Sequence, residues 1–129
     1  MVVSEITSGV KVTVSVAYQA AHSRLDEHLY VFSYHIHIQN HNPYTVQLLR
    51  RRWTILNALG EVEIVEGDGV VGRQPILYAG DEHIYQSGAA IETPLGNMSG
   101  VYFFENKSTK EIFEVKVPTF KLELPDLLN

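Results

Sequence analysis

Three groups of side chains in this 129-residue sequence have types and spacings suited to chemistry. The first is Gly67-Asp68-Gly69-Val70-Val71-Gly72, a G-x-G-x-x-G spelling with Glu92 about twenty residues beyond it. In a dinucleotide site such glycines let backbone amides approach a pyrophosphate at a helix N-terminus, whose partial positive charge favours the anion. The surrounding residues argue against that use. Pro75 follows Gly72 by three residues and biases Gln74 away from the α region, and no amphipathic helical pattern comes after it. Glu66 and Asp68 would also meet phosphates with like charge. The preferred reading is a tight loop between strands whose glycines supply positive φ; a phosphate cradle is the alternative.

The second group is basic: Arg50, Arg51 and Arg52, with Arg73 just after the glycine loop. On a strand, Arg50 and Arg52 project from one face and Arg51 from the other beside Trp53, so the run is not one patch of three charges. Arginine stems covering apolar surface, paired with carboxylates on neighbouring strands, are the expected arrangement. The third group is His35 and His37, at i and i+2 on one strand face, with His41 in the following turn. That spacing aims two imidazoles at one point, but a metal site needs further ligands that the sequence does not place, so solvated histidines are expected. No cofactor is expected. Nor is there a G-x-S-x-G elbow, an H-E-x-x-H helix or a P-loop, and catalysis has little to stand on.

The elements that must carry these groups are strands. Val10, Val12, Val14 and Val16 alternate with Lys11, Thr13, Ser15 and Ala17. Tyr30, Phe32, Tyr34, Ile36 and Ile38 share a face opposite Val31, Ser33, His35, His37 and Gln39, and Asn42-Pro43 breaks the run. Residues 46–56 alternate as Leu48, Arg50, Arg52 and Thr54 against Gln47, Leu49, Arg51, Trp53 and Ile55, and Leu59-Gly60 turns into a strand over 62–65. Shorter β segments are expected over 84–86, 101–105 and 113–117. About seven or eight strands with turns at this spacing predict an all-β immunoglobulin- or fibronectin type III-like sandwich of antiparallel strands, spanning residues 1–129 as a single domain; a closed barrel is the alternative.

Composition sets the outer limits. With 45% hydrophobic residues, a chain of 129 can bury a core without staples, and having no Cys it has none of the thiolate sites. Ten Lys and Arg against fifteen Asp and Glu give a net charge of −5, which argues against a nucleic-acid partner. No apolar run approaches the ~18 residues of a membrane span, and residues 1–9 lack a targeting pattern, so no membrane association and a cytoplasmic location are expected.

Several stretches in order carry a close family resemblance. They are Tyr30-Val-Phe32-Ser-Tyr34-His-Ile36-His-Ile38-Gln-Asn40, Val46-Gln-Leu48-Leu-Arg50-Arg51-Arg52-Trp53, the 67–72 glycine run leading to Gln74-Pro75, Tyr85-Gln86-Ser87-Gly88, and Thr93-Pro94-Leu95-Gly96 with Met98 and Gly100-Val101-Tyr102. Together they resemble the bacterial ApaG family, the DUF525 domain, along nearly the whole chain. Departures are Asn57 where Asp is frequent, Ala79 where Pro often precedes the glycine, and His83 where an aromatic is usual. The resemblance implies a fibronectin type III-like fold, links to cobalt and magnesium homeostasis and diadenosine-tetraphosphate metabolism, and an adaptor role in related eukaryotic proteins. It implies no catalytic residues.

The expected function is therefore non-enzymatic binding of an unidentified protein partner. The alternative is a small-ligand sensor taking a nucleotide or pyrophosphate at the glycine loop, or a divalent metal. The expected docking surface is the glycine loop, with Val70 and Val71 as apolar contacts, Arg73 beside them, and a Thr93-to-Met98 loop nearby.

Overall fold

The period-two alternation becomes two antiparallel sheets. The computed structural model describes residues 1–125. In chain order the strands are β1 (Val2–Thr7), β2 (Val10–Tyr18), β3 (Tyr30–Asn40), β4 (Val46–Asn57), β5 (Val62–Asp68), β6 (Ile76–Leu77), β7 (Glu82–Ile91), β8 (Leu95–Asn106) and β9 (Ile112–Glu123). One sheet has the order β1-β2-β3-β7 and the other β5-β4-β8-β9, with the two-residue β6 pairing to the start of β4. The described residues contain no α-helix, only 3₁₀ turns at Ala20–His22 and Leu25–Glu27. No helix is long and apolar enough to cross a membrane.

The core lies between the two inner faces. Val10, Val12, Val14, Phe32, Tyr34, Ile36 and Ile38 supply the first sheet's side, as the alternation predicts. Leu48, Trp53, Met98, Tyr102, Phe104, Val115 and Phe120 supply the second. Trp53 joins the layers: its ring sits edge-on to Tyr34 at 5.5 Å, Tyr102 at 6.0 Å and Phe120 at 6.1 Å. Offset and edge-to-face contacts of this kind add about 0.5–1.5 kcal/mol each beyond the area they bury.

Strand β4 departs from the simple alternation. Its register against β8 shifts between Leu48 and Arg50, so Leu49 is an extra residue. Such a bulge reverses which face the following residues occupy. Leu48 therefore points inward while Arg50 and Arg52 point out, and Arg51, Trp53 and Ile55 take the inner face. The predicted grouping of Leu48 with Arg50 is corrected accordingly. Strands β5, β7, β8 and β9 all run longer than expected, β1 and β6 were not anticipated, and the expected loop from Thr93 to Met98 is strand from Leu95 onward.

Edge strands define two different sides of the sandwich. On one side β1 meets β9, where the Lys116 amide donates to Thr7 Oγ1 at 3.3 Å. The opposite side is bounded by β5 and β7 and carries open grooves at both ends. It is this open side that holds the chemistry.

Candidate functional site: the open side between β5 and β7

The glycine motif forms the hairpin that leaves β5. Val70 and Arg73 exchange backbone hydrogen bonds, N to O at 2.8 Å and 3.0 Å, around Val71 and Gly72. Both central residues have positive φ, 48° and 75°. That is the type I′ pattern favoured in hairpins, because its twist matches that of the flanking strands. Gly69, at φ 60°, is required for a second reason: a Cβ there would lie 2.1 Å from the Arg73 carbonyl oxygen. Within the motif, the Val70 amide donates across the turn and the Gly69 amide donates to Leu49 O of β4 at 2.7 Å. The motif's carbonyls face a cation instead, since Arg51 Nη1 donates to Asp68 O and Gly69 O, both at 3.0 Å. Gly67 leaves room for that guanidinium, which would sit 2.9 Å from an added Cβ. A phosphate cradle needs the opposite polarity, with free N–H groups turned to the ligand. Glu92 lies at the far end of the open side with Glu61 and Glu63, away from the turn.

The arginine run divides as strand geometry requires. Arg50 and Arg52 bracket Glu66 across the β4–β5 pair at 3.8 Å and 3.4 Å, and Arg50 lies over the Phe103 ring at 5.3 Å. Arg51 is turned inward toward three phenols. Tyr85 and Tyr102 share a hydrogen bond between their hydroxyls. Burial pushes both phenols up and raises Tyr34 as well; the Arg51 guanidinium pulls against burial in all three without overcoming it. These tyrosines stay neutral at physiological pH.

The histidines sit on the outward face of the first sheet. His37 Nε2 lies 2.6 Å from Glu82 Oε2, and His35 is exposed beside the Gln86 register position. Among the described residues no group of three or more His, Cys, Asp or Glu is arranged to hold a metal.

A groove of about 320 Å³ runs between the turn and the first half of β7, bounded by Val71, Arg73, His83, Ile84, Tyr85 and Gln86. Val71 and Ile84 are 62% and 61% exposed. Val70, expected beside Val71 as a contact, is only 1% exposed and belongs to the core, because the I′ turn sends successive side chains to opposite sides. Arg73 is exposed and has no carboxylate within 4 Å among the described residues. Burial, then the neighbouring Arg73 charge, lowers the His83 pKa. A second groove of about 450 Å³ at the other end is lined by Glu61, Glu63 and Glu92 together with Val62, Ala90 and Ile91. The open side is therefore polarised in its unpaired side chains, with Arg73 near the start of β7 and three carboxylates at its end.

The ApaG domain model matches residues 20–106, which contain the turn, both grooves and the tyrosine cluster. The chain belongs to the ApaG family. It is 50% identical to the Protein ApaG of Vibrio vulnificus over 100 residues, 78% of this chain and 79% of that one. It is 43% identical to the Protein ApaG of Rhodospirillum centenum, covering 95% of this chain and 93% of that one. A crystal structure of a Bordetella pertussis protein described as ApaA superposes with a TM-score of 0.85 at 34% identity, covering 95% of each chain.

Sequence reasoning assigned no joint role to several residues of this side. Tyr85, Ile84 and the acidic trio Glu61, Glu63 and Glu92 acquire their arrangement only through the pairing of β7 with β3 and of β5 with β4. Asn40 is another. It is 1% exposed, and its Nδ2 donates to Tyr44 O at 2.9 Å and Leu77 O at 3.1 Å while its Oδ1 accepts from the Asn42 amide at 3.0 Å. Asn40 thereby ties β3 to the segment leading into β7, which positions the basic end of the groove.

Proposed function

We propose that this ApaG-family chain is a protein-binding module with no catalysis of its own, docking its partner along the open side between β5 and β7. The observation that carries the reading is the exposed apolar pair Val71 and Ile84 flanking Arg73, a cation left without a carboxylate in an acidic protein. Apolar anchors beside an arginine are the composition from which binding hot spots are built. On this view the family's links to cobalt, magnesium and diadenosine tetraphosphate run through the partner. The test is quantitative capture by immobilised protein, comparing wild type with Ile84→Ser and with Arg73→Ala. Both positions are exposed, so melting temperature should hold while capture falls by roughly tenfold or more, as loss of about 1.4 kcal/mol requires. Unchanged capture by both variants refutes the docking site.

A second reading rests on Arg73, a groove-lining cation with no carboxylate partner among the described residues: an anionic small ligand such as a nucleotide. Titration calorimetry with ATP and diadenosine tetraphosphate tests it, and saturable binding lost in Arg73→Ala would replace the protein-docking reading.

A further inference from the structure

Strand β7 differs from the other edges of the sandwich. Edge strands expose rows of unpaired N–H and C=O groups, and proteins blunt them with short length, charge, proline or bulges. Strand β1 is six residues long. Strand β5 carries Glu63, Glu66 and Asp68. Strand β9 holds Lys116, Pro118 and Lys121 and shifts register opposite Met98 and Gly100. Strand β7 has only the charge of Glu82 at its first residue: ten residues, Glu-His-Ile-Tyr-Gln-Ser-Gly-Ala-Ala-Ile, pair with β3 in unbroken register. Among the described residues, no backbone group of residues 83–91 bonds to anything but β3. About half of its N–H and C=O groups therefore point outward along a straight edge of roughly 33 Å.

The two ends of this edge differ in their unpaired charge. Arg73, without a carboxylate partner among the described residues, lies at its beginning near Asp81 and Glu82, whose carboxylates bond to the Tyr78 amide and to His37, and Glu61, Glu63 and Glu92 lie at its end. A twofold axis perpendicular to the sheet at the middle of β7 brings the beginning of one copy against the end of the other. Antiparallel pairing about such an axis sets Arg73 of each copy toward the acidic end of the other. Side-chain alternation adds a constraint, because directly opposed residues must share a face. An axis at Gln86 satisfies it and sets exposed Ile84 opposite Gly88, a small residue that leaves space for it.

We propose that β7 pairs with β7 of a second copy of this chain, joining the two four-stranded sheets into one eight-stranded sheet across a twofold dimer. The proposal rests on the binding-module reading and names the occupant of the same open side. Its interface is isologous, so each copy supplies both halves of the charge pattern.

Charge reversal tests it on the full chain. Light scattering coupled to size-exclusion chromatography should show a dimer that dissociates on dilution and weakens with added salt. Arg73→Glu alone, and Glu63→Arg with Glu92→Arg, should each be monomeric at concentrations where wild type is dimeric. An equimolar mixture of the two should recover the dimer, since every end-to-end contact is then between opposite charges. Because the natural chain has no cysteine, Gln86→Cys adds a geometric reading: mild oxidation should give a disulfide-linked dimer, and Thr13→Cys on the same outer face should not. A wild-type protein that remains monomeric, reversals that leave the dimer intact, or a mixture that stays monomeric would overturn the proposal. Monomeric wild type that still loses partner capture in Ile84→Ser would sink the self-pairing alone and leave the binding-module reading standing.

Discussion

Val71 is the residue whose conformation is hardest to justify by stability. It sits at φ 48° as the first central residue of the I′ turn, where a β-branched side chain is a steric outlier and Asn or Gly is the usual occupant. The left-handed region costs an ordinary L-residue about 1–2 kcal/mol, most of which Asn avoids. Against that gain stands the burial that would be lost. At 62% exposure, Val71 hides little more than a third of its side chain, about 0.5 kcal/mol of the ~1.5 kcal/mol for full burial of a valine. Val71→Asn should therefore stabilise the fold by about 0.5–1.5 kcal/mol, raising Tm by roughly 2–5 °C in a domain of this size. Urea unfolding is the assay, and the midpoint should rise at constant m-value. Lower or unchanged stability would refute the argument, for it would mean that the strain is absent or that the remaining contacts of Val71 outweigh it. If the strained valine is kept for contact, the same variant should capture partner less well while melting higher, the trade expected where stability yields to function.

Gly69→Ala should destabilise far more than Gly72→Ala. The new Cβ at 69 meets the Arg73 carbonyl at 2.1 Å, forcing a backbone shift costing about 3 kcal/mol or more, whereas nothing lies within 4 Å at 72 and only the ~1 kcal/mol conformational cost applies. Equal losses in denaturant melts would show that the turn does not have this geometry. Asn40→Ala should cost about 2–3 kcal/mol by leaving the Leu77 carbonyl and the Asn42 amide without their partner, and a loss under about 0.5 kcal/mol would contradict that accounting. His83 is held below its usual pKa by burial and by Arg73. Its neutral form therefore stabilises the fold above about pH 6.5, and that contribution is lost as pH falls through the lowered folded value. The denaturation midpoint of His83→Phe should pull ahead of wild type between about pH 7 and pH 5, while parallel profiles would show that His83 is not the group responsible.

Alternation made most of the sandwich legible. The inward set from Tyr30 to Ile38 and from Val10 to Val14 follows directly from period two, because each face meets a uniform environment along its length. The pattern failed where that uniformity fails. In β7 the run Ser87-Gly88-Ala89-Ala90 has too little hydrophobic contrast to reveal a strand, although ten residues pair with β3. In β4 the alternation was readable on either side of Leu49, but a bulge leaves no local mark in a run of Leu-Leu-Arg-Arg-Arg, and the parity slips unseen. The glycine turn could be read as structural from Pro75 and the flanking acids, whereas the burial of Val70 could not, since a turn residue's side is set by φ signs that sequence spelling does not specify.

The one-residue slip in β4 also explains why the open side is polarised. Without Leu49 as an extra residue, Arg51 would project outward, and the carbonyls of Asp68 and Gly69 would lose their donor. With the bulge, Glu66 is shared by Arg50 and Arg52 alone, and Arg51 is committed to fastening the end of β5. Glu66 and its two arginines are thus matched to one another on the outer face. Arg73, carried past them by the turn, is left facing solvent at the head of an unprotected edge strand. The tail of that strand keeps Glu61, Glu63 and Glu92, and none of the three is within 4 Å of a basic side chain among the described residues. Arg73 without a carboxylate at the head of an exposed backbone ladder, and three carboxylates without a cation at its tail, are what an antiparallel second strand would bring together, which is why the edge and Arg73 argue for the same contact.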